Sequence, residues 1–169
     1  SSLIYNDLRM EVCQFANVLQ NHGVQKGGRF SIYMPMVVQL AIAMLACARL
    51  GAVHSIVFGG FSPTALSDRI VDSSCKILIT TDGGYRGSKP IAIKKNADEA
   101  IRLAGKQGVR VSTCIVVKRV GNKIPITMQD GRDVWWHEEM SEANLVCEPE
   151  VMDSEDPLFI LYTSGSTGK

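Results

Sequence analysis

The sequence predicts an α/β fold, a parallel sheet flanked by helices on both faces. Three observations carry that expectation. Short apolar runs alternate with stretches of helical periodicity, those runs lack the polar alternation of a sheet with one wet face, and glycines or turn pairs mark most of the joins. Strands covered by helices on both sides read as continuous apolar segments. In such sheets ligands gather at the carboxyl ends of the strands.

Taken in order, residues 6–21 bring Leu8, Val12, Phe15, Ala16 and Leu19 to helical spacing, which predicts a helix with one buried stripe. Gly23 stands where a helix C-cap favours positive φ. Residues 29–34 form a short β-like run. Residues 36–50 put Ala, Leu and Met on nearly every face, the pattern of a helix buried almost all round, and end at Gly51. AVHSIVF (52–58) reads as a buried strand, Gly59 and Gly60 turn the chain, and Ser62-Pro63 supply an N-cap and first-turn proline for a helix reaching residue 72.

KILITT (76–81) is the next strand, a glycine-rich loop over 82–89 leads to a helix over 96–104, and TCIVVK (113–118) is another buried strand. Residues 120–156 carry turn signals at Gly121-Asn122 and Asp130-Gly131 and read as a surface excursion with a short helix over 135–140. PLFILY (157–162) is the closing strand.

A chain of 169 residues with 46% hydrophobic content is long enough to bury a core of its own. Its 18 Lys and Arg against 17 Asp and Glu leave a charge of +1, which supplies no long-range field, so neither nucleic acid nor a membrane is expected as a partner. The longest apolar stretch, 34–50, contains Gln39 and Arg49 and falls short of a membrane span. The five cysteines, at 13, 47, 75, 114 and 147, form no CxxC pair, so no zinc site or disulfide framework is expected and a reducing, cytoplasmic compartment is. The first residue is Ser rather than Met, which leaves open a missing N-terminus and an organelle signal.

The strongest chemical signal is TSGSTGK: Thr163, Ser164, Gly165, Ser166, Thr167, Gly168 and Lys169 follow directly on a strand. Hydroxyls, glycine amides and one lysine delivered at a strand end suit phosphate. A Walker A loop would need glycine at the place held by Thr163, so that pattern fails. A flexible linker is the alternative for such a run, and the strand before it argues against one.

FGGFSP (58–63) lets the backbone approach a ligand at Gly59 and Gly60 while Ser62-Pro63 open a helix; as pure structure it is a tight strand-to-helix turn. Arg86 and Lys89, three positions apart in YRGSK, are either two cations converging on a phosphate or two solvated loop residues. His54, inside an apolar strand, reads as a hydrogen-bonded core residue. His137 with Glu138 and Glu139 lacks the HExxH spacing, and Trp135 and Trp136 read as packing. No catalytic or metal-ligating residue is assigned.

DPLFILYTSGSTGK (156–169) resembles the phosphate loop of the adenylate-forming superfamily, whose motif continues past the lysine with Pro-Lys-Gly. YMPM (33–36), MLACARLGAVHS (44–55), FGGFSP, DGGYRGSK (82–89) and GRDVWWH (131–137) resemble, in order, the acetyl-CoA synthetase family within it. The resemblance spans essentially the whole chain. It implies that residues 1–169 are part of the large N-terminal domain of an adenylate-forming enzyme, truncated at the phosphate loop and without the C-terminal domain. The whole enzyme would convert acetate, ATP and CoA to acetyl-CoA, AMP and pyrophosphate through an acetyl-adenylate.

By the same resemblance, Thr163 to Lys169 would embrace the ATP phosphates. Phe58, Gly59 and Gly60 would receive the adenine end of CoA, and Arg86, Gly87, Ser88 and Lys89 its nucleotide phosphate. The family has Arg where this chain has Lys89, which keeps the charge and loses the bidentate fork. The catalytic lysine, the adenine site, the acyl pocket and the Mg²⁺ ligands fall outside these residues, so the fragment alone is expected to be inactive. A propionyl-CoA or other short-chain synthetase shares these motifs; a nucleotide-binding module without ligase activity and a purely structural α/β domain are the alternatives of other classes.

Overall fold

A computed structural model describes residues 2–146, 148 and 154–160. The chain runs α1 (Ser2–Asn21), β1 (Arg29–Met34), α2 (Val38–Arg49), β2 (Val53–Phe58), α3 (Pro63–Ser73) and β3 (Ile77–Thr81). It continues with β4 (Gly83–Arg86), β5 (Lys89–Ala92), α4 (Lys94–Lys106), β6 (Thr113–Val117), β7 (Asp133–Trp135), α5 (Trp136–Glu142) and β8 (Phe159–Ile160), with a single 3₁₀ turn at Gly121–Lys123.

Six of these strands form one sheet in the order β7-β6-β3-β1-β2-β8, and every pairing in it is parallel. The α/β expectation therefore holds. Side-chain alternation along each strand feeds two cores. Phe30, Ile32, Met34, Ile77, Ile79, Ile115 and Val117 pack with α1, α2 and Trp136 of α5 on one face. Tyr33, Val57, Leu78, Cys114 and Val116 pack with α3 and α4 on the other. Helices on both faces explain why the strands carry so little polar sequence.

Several boundaries follow local chemistry. Gly23 has φ +84°, as a C-cap position allows. The Ser62 hydroxyl accepts from the Ala65 amide at 3.2 Å, with Pro63 in the first turn of α3.

Four expectations need correction. Helix α2 starts at Val38 rather than 36, because Val37 takes an extended N-cap conformation and Met36 is 78% exposed. It is also not buried all round: Val38 and Leu45 face outward, since α1 and the sheet cover only two sides. The stretch 82–89 is not a loop but β4 and the start of β5, an antiparallel hairpin closed by Gly87 and Ser88. Strand β7 lies inside the supposed surface excursion and edges the main sheet through Cys114↔Asp133 and Val116↔Trp135.

Because Trp135 ends a strand and Trp136 opens a helix, the two rings go to different cores. Trp136 stacks on Phe15 with centroids 3.8 Å apart and joins the α1/α2 side, while Trp135 packs against the α3/α4 side. The packing role read from sequence is the observed one.

Candidate functional site

The parallel register brings the carboxyl ends of β1, β2, β3, β6 and β8 to one edge of the sheet. The turn after β2, the hairpin after β3 and the turn after β6 all leave from that edge.

After β2 the chain must reverse close to the end of β1, and Gly59 makes this possible. A Cβ there would sit 3.0 Å from the Pro35 nitrogen and 3.1 Å from the Met34 carbonyl carbon, so close that backbone would have to give way. The turn is closed by the Phe61 amide donating to the Phe58 carbonyl at 3.0 Å. From below, the Tyr33 hydroxyl donates to the Phe61 carbonyl at 2.7 Å. Burial pushes the Tyr33 phenol above its ordinary range, which keeps it a donor. Phe58 stands at the mouth of this turn, 57% exposed, and Gly60 is exposed beside it. Phe61 is not core: its ring lies half-exposed, 5.2 Å from the Arg69 guanidinium.

The hairpin β4–β5 pairs Arg86 directly with Lys89. Positive φ occurs at Gly87 (+62°) and not at Ser88, the signature of a two-residue turn with glycine first. Arg86, Gly87, Ser88 and Lys89 are all exposed, and neither cation forms an ion pair among the described residues. Gly84 lets the hairpin lie close: a Cβ there would meet Ile93 Cδ1 at 3.0 Å and Pro35 Cγ at 3.5 Å. The same two residues abut Gly59. Gly59 of the 58–60 turn and Gly84, on the hairpin that carries residues 86–89 at its tip, are thus seated against a shared Pro35/Ile93 wall.

Strand β8 joins the edge of the sheet through His54↔Phe159 and Ser55↔Ile160. Thr163 to Lys169, expected from sequence to form a phosphate loop, lie outside the described residues. His54 is 3% exposed, as a core residue should be, and its Nδ1 finds no hydrogen-bond partner among the described residues. Burial holds its pKa below the ordinary value, so the ring is neutral. Its ring faces Phe159 with centroids 6.1 Å apart.

Other groups have no exposed chemistry to offer. Burial pushes the Cys75 thiol up to about 11 and the Cys114 thiol to about 12, so both stay protonated and unreactive. Among the described residues no three His, Cys, Asp or Glu side chains converge as a metal site would need, and no helix is long and apolar enough to cross a membrane.

Sequence reasoning passed over two acidic residues. Asp82 is 1% exposed and accepts from the amides of Arg119 at 2.8 Å, Val120 at 3.0 Å and Gly121 at 2.9 Å. Asp133 sits in a buried charge cluster with Lys94 and Arg132. Arg132 is the chain neighbour of Asp133, but Lys94 stands 39 positions from it and the three amides stand 37 to 39 positions from Asp82, so no local pattern announces either site.

A curated acetyl-coenzyme A synthetase of Sinorhizobium fredii is 56% identical over 167 residues, 99% of this chain and 25% of the relative. One from Desulfatibacillum aliphaticivorans is 59% identical over 166 residues, 98% of this chain and 25% of the relative. The chain spans about a quarter of the length of the curated relatives it matches. Among solved structures, acetoacetyl-CoA synthetase from Streptomyces lividans superposes with a TM-score of 0.80 at 27% identity, covering 94% of this chain and 23% of that one. The profile of the AMP-binding enzymes matches residues 1–169, and the chain belongs to that family.

Proposed function

We propose that this chain is the first part of the large domain of an acetyl-CoA synthetase, an enzyme that joins acetate to CoA at the expense of MgATP. The observation that carries the reading is the convergence of the 58–60 turn, the Arg86/Lys89 hairpin and the strand leading to TSGSTGK on one carboxyl edge of the sheet. Identity of 56 to 59% with curated acetyl-coenzyme A synthetases supports acetate as the acid.

A carboxylate is a poor electrophile, and adenylation gives it a leaving group. Acetate oxygen attacks the α-phosphorus of ATP, the bond to the β-phosphate oxygen breaks, and pyrophosphate departs with its electron pair. The CoA thiolate then attacks the acetyl carbonyl and AMP leaves. Thr163, Ser164, Gly165, Ser166, Thr167, Gly168 and Lys169 hold the ATP phosphates through amides, hydroxyls and one ammonium, groups suited to charge that shifts in the transition state. Phe58, Gly59 and Gly60 form the seat of the CoA adenine, and Arg86 with Gly87, Ser88 and Lys89 takes its nucleotide phosphate. Mg²⁺ enters with ATP as part of the substrate. The remaining machinery belongs to chain beyond Lys169, and residues 1–169 alone are inactive. Cys13, Cys47, Cys75 and Cys114 are free and buried, which supports a reducing, cytoplasmic location.

The test is acetate-dependent exchange of labelled pyrophosphate into ATP by the full-length protein, with propionate in parallel. Exchange that needs acetate and no CoA supports the reading. Exchange that favours propionate moves it to the propionyl branch, and none with either acid leaves a nucleotide-binding module.

A further inference from the structure

We infer that Asp82 is a positioning residue for the CoA site: by gathering the turn after β6 it fixes the hairpin that carries Arg86 and Lys89. The inference rests on the reading of that hairpin as the CoA seat.

Asp82 is the first residue past β3, and its buried carboxylate spends its charge on three consecutive amides. Oδ1 accepts from Arg119 and Val120, and Oδ2 accepts from Gly121. Gly121, at φ +58°, allows the successive amides to converge. The Asp82 amide in turn donates to the Val117 carbonyl at 2.9 Å, so backbone and side chain both hold the end of β6. Bonds from amides to a buried anion are the strong, charge-assisted kind.

The gathered turn backs the hairpin. Val120 and Ile124 fill the space over Gly83, where a Cβ would meet Val120 Cγ2 at 2.7 Å, the Ile91 carbonyl oxygen at 2.8 Å and Ile124 Cδ1 at 3.3 Å. Arg119 and Lys123 lie over the Tyr85 ring, 5.8 and 5.2 Å from its centroid. Side chains alternate along a strand, so Gly83 and Tyr85 face this turn while Gly84 faces the Pro35/Ile93 wall and Arg86, on the same side as Gly84, stands exposed beyond it. The hairpin is therefore clamped between two surfaces, and one of them is gathered by the Asp82 carboxyl oxygens. Loosening that surface leaves the cations of the hairpin in place chemically and frees them geometrically, a loss of preorganisation.

The experiment compares Asp82→Asn with wild type in the full-length enzyme. It follows CoA-dependent thioester formation, acetate-dependent pyrophosphate exchange into ATP, and the ratio of KM for dephospho-CoA to KM for CoA. The expected result is a rise of about tenfold in the CoA KM and a fall in that ratio, with exchange within about twofold of wild type. Gly83→Ala, which pushes the same two surfaces apart without touching the carboxylate, is expected to give the same pattern.

A role in overall folding alone would lower both half-reactions together and leave the CoA KM unchanged; that result overturns the inference. Arg86→Ala serves as reference. If its CoA KM is unchanged, the hairpin is not the CoA seat and the inference falls with that reading. If Arg86→Ala raises the KM and Asp82→Asn does not, the inference alone is overturned.

Discussion

Lys94 Nζ lies 2.8 Å from Asp133 Oδ2, and both side chains are fully withdrawn from solvent. Lys94 opens α4 and Asp133 opens β7, so the pair ties a helix of one core to an edge strand of the sheet. Asp98 accepts from Lys94 at 2.7 Å and from Arg132 at 2.6 Å, and Arg132 donates to Asp133 at 2.6 Å. A third bond from Lys94 runs to the Thr127 carbonyl at 3.0 Å. Every proton of the buried ammonium is thereby used, which is the condition under which a buried charge is tolerated.

Replacing Lys94 by Met removes the cation and leaves Asp133 with a single partner side chain. The expected cost is about 3 to 5 kcal/mol, the usual penalty for breaking a buried pair from one side. Urea unfolding followed by circular dichroism measures it, and an unchanged midpoint would contradict the network's importance.

The same cluster makes stability depend on acid. Burial raises the Asp133 pKa, but hydrogen bonds from Arg132, Lys94 and the Gln129 amide outweigh it and hold the carboxyl below its ordinary value of 3.8. A group depressed in the folded state contributes stability that is present above 3.8 and lost as pH falls through the lower folded value. Wild type should therefore lose stability steeply below this point. Asp133→Asn should start less stable and show a shallower acid limb in the same titration.

His54 adds a second slope at milder pH. Burial keeps its ring neutral and its pKa below 6.5, so the unfolded chain binds the proton more readily than the folded one. Stability should decline as pH falls from 6.5 through the folded value. Urea midpoints at neutral and mildly acid pH should differ less in His54→Gln than in wild type. Equal differences would mean that the histidine does not titrate on unfolding.

Gly59→Ala tests the turn after β2. The new methyl would press on backbone atoms of Met34 and Pro35, which belong to the end of a central strand and cannot swing aside. A destabilisation of about 1 to 3 kcal/mol is expected for such overpacking, together with weaker CoA binding if Phe58 to Gly60 form the adenine seat. A thermal melt of the variant beside its CoA KM reads both; normal values for the two would show that the turn has more room than the structure gives it.

The sequence by itself determined the class of fold and much of the carboxyl edge. The runs at 29–34, 52–58, 76–81 and 113–118 name their strands because each must be apolar on both sides, and Ser62-Pro63 names a helix start because the capping groups are neighbours in the chain. Gly59 and Gly60 announce a tight turn for the same reason: what they permit is a property of their own backbone. The β4–β5 hairpin read as a loop because Gly83 and Gly84 have little intrinsic preference for a strand. Only the tertiary structure reveals that they are glycine so that Val120, Ile124, Pro35 and Ile93 can approach. Strand β7, the pair Lys94–Asp133 and the three amides on Asp82 were likewise decided in three dimensions. Each joins residues brought together by the order of strands in the sheet, and hydrophobic period and turn chemistry carry information across a few residues, not across nearly forty.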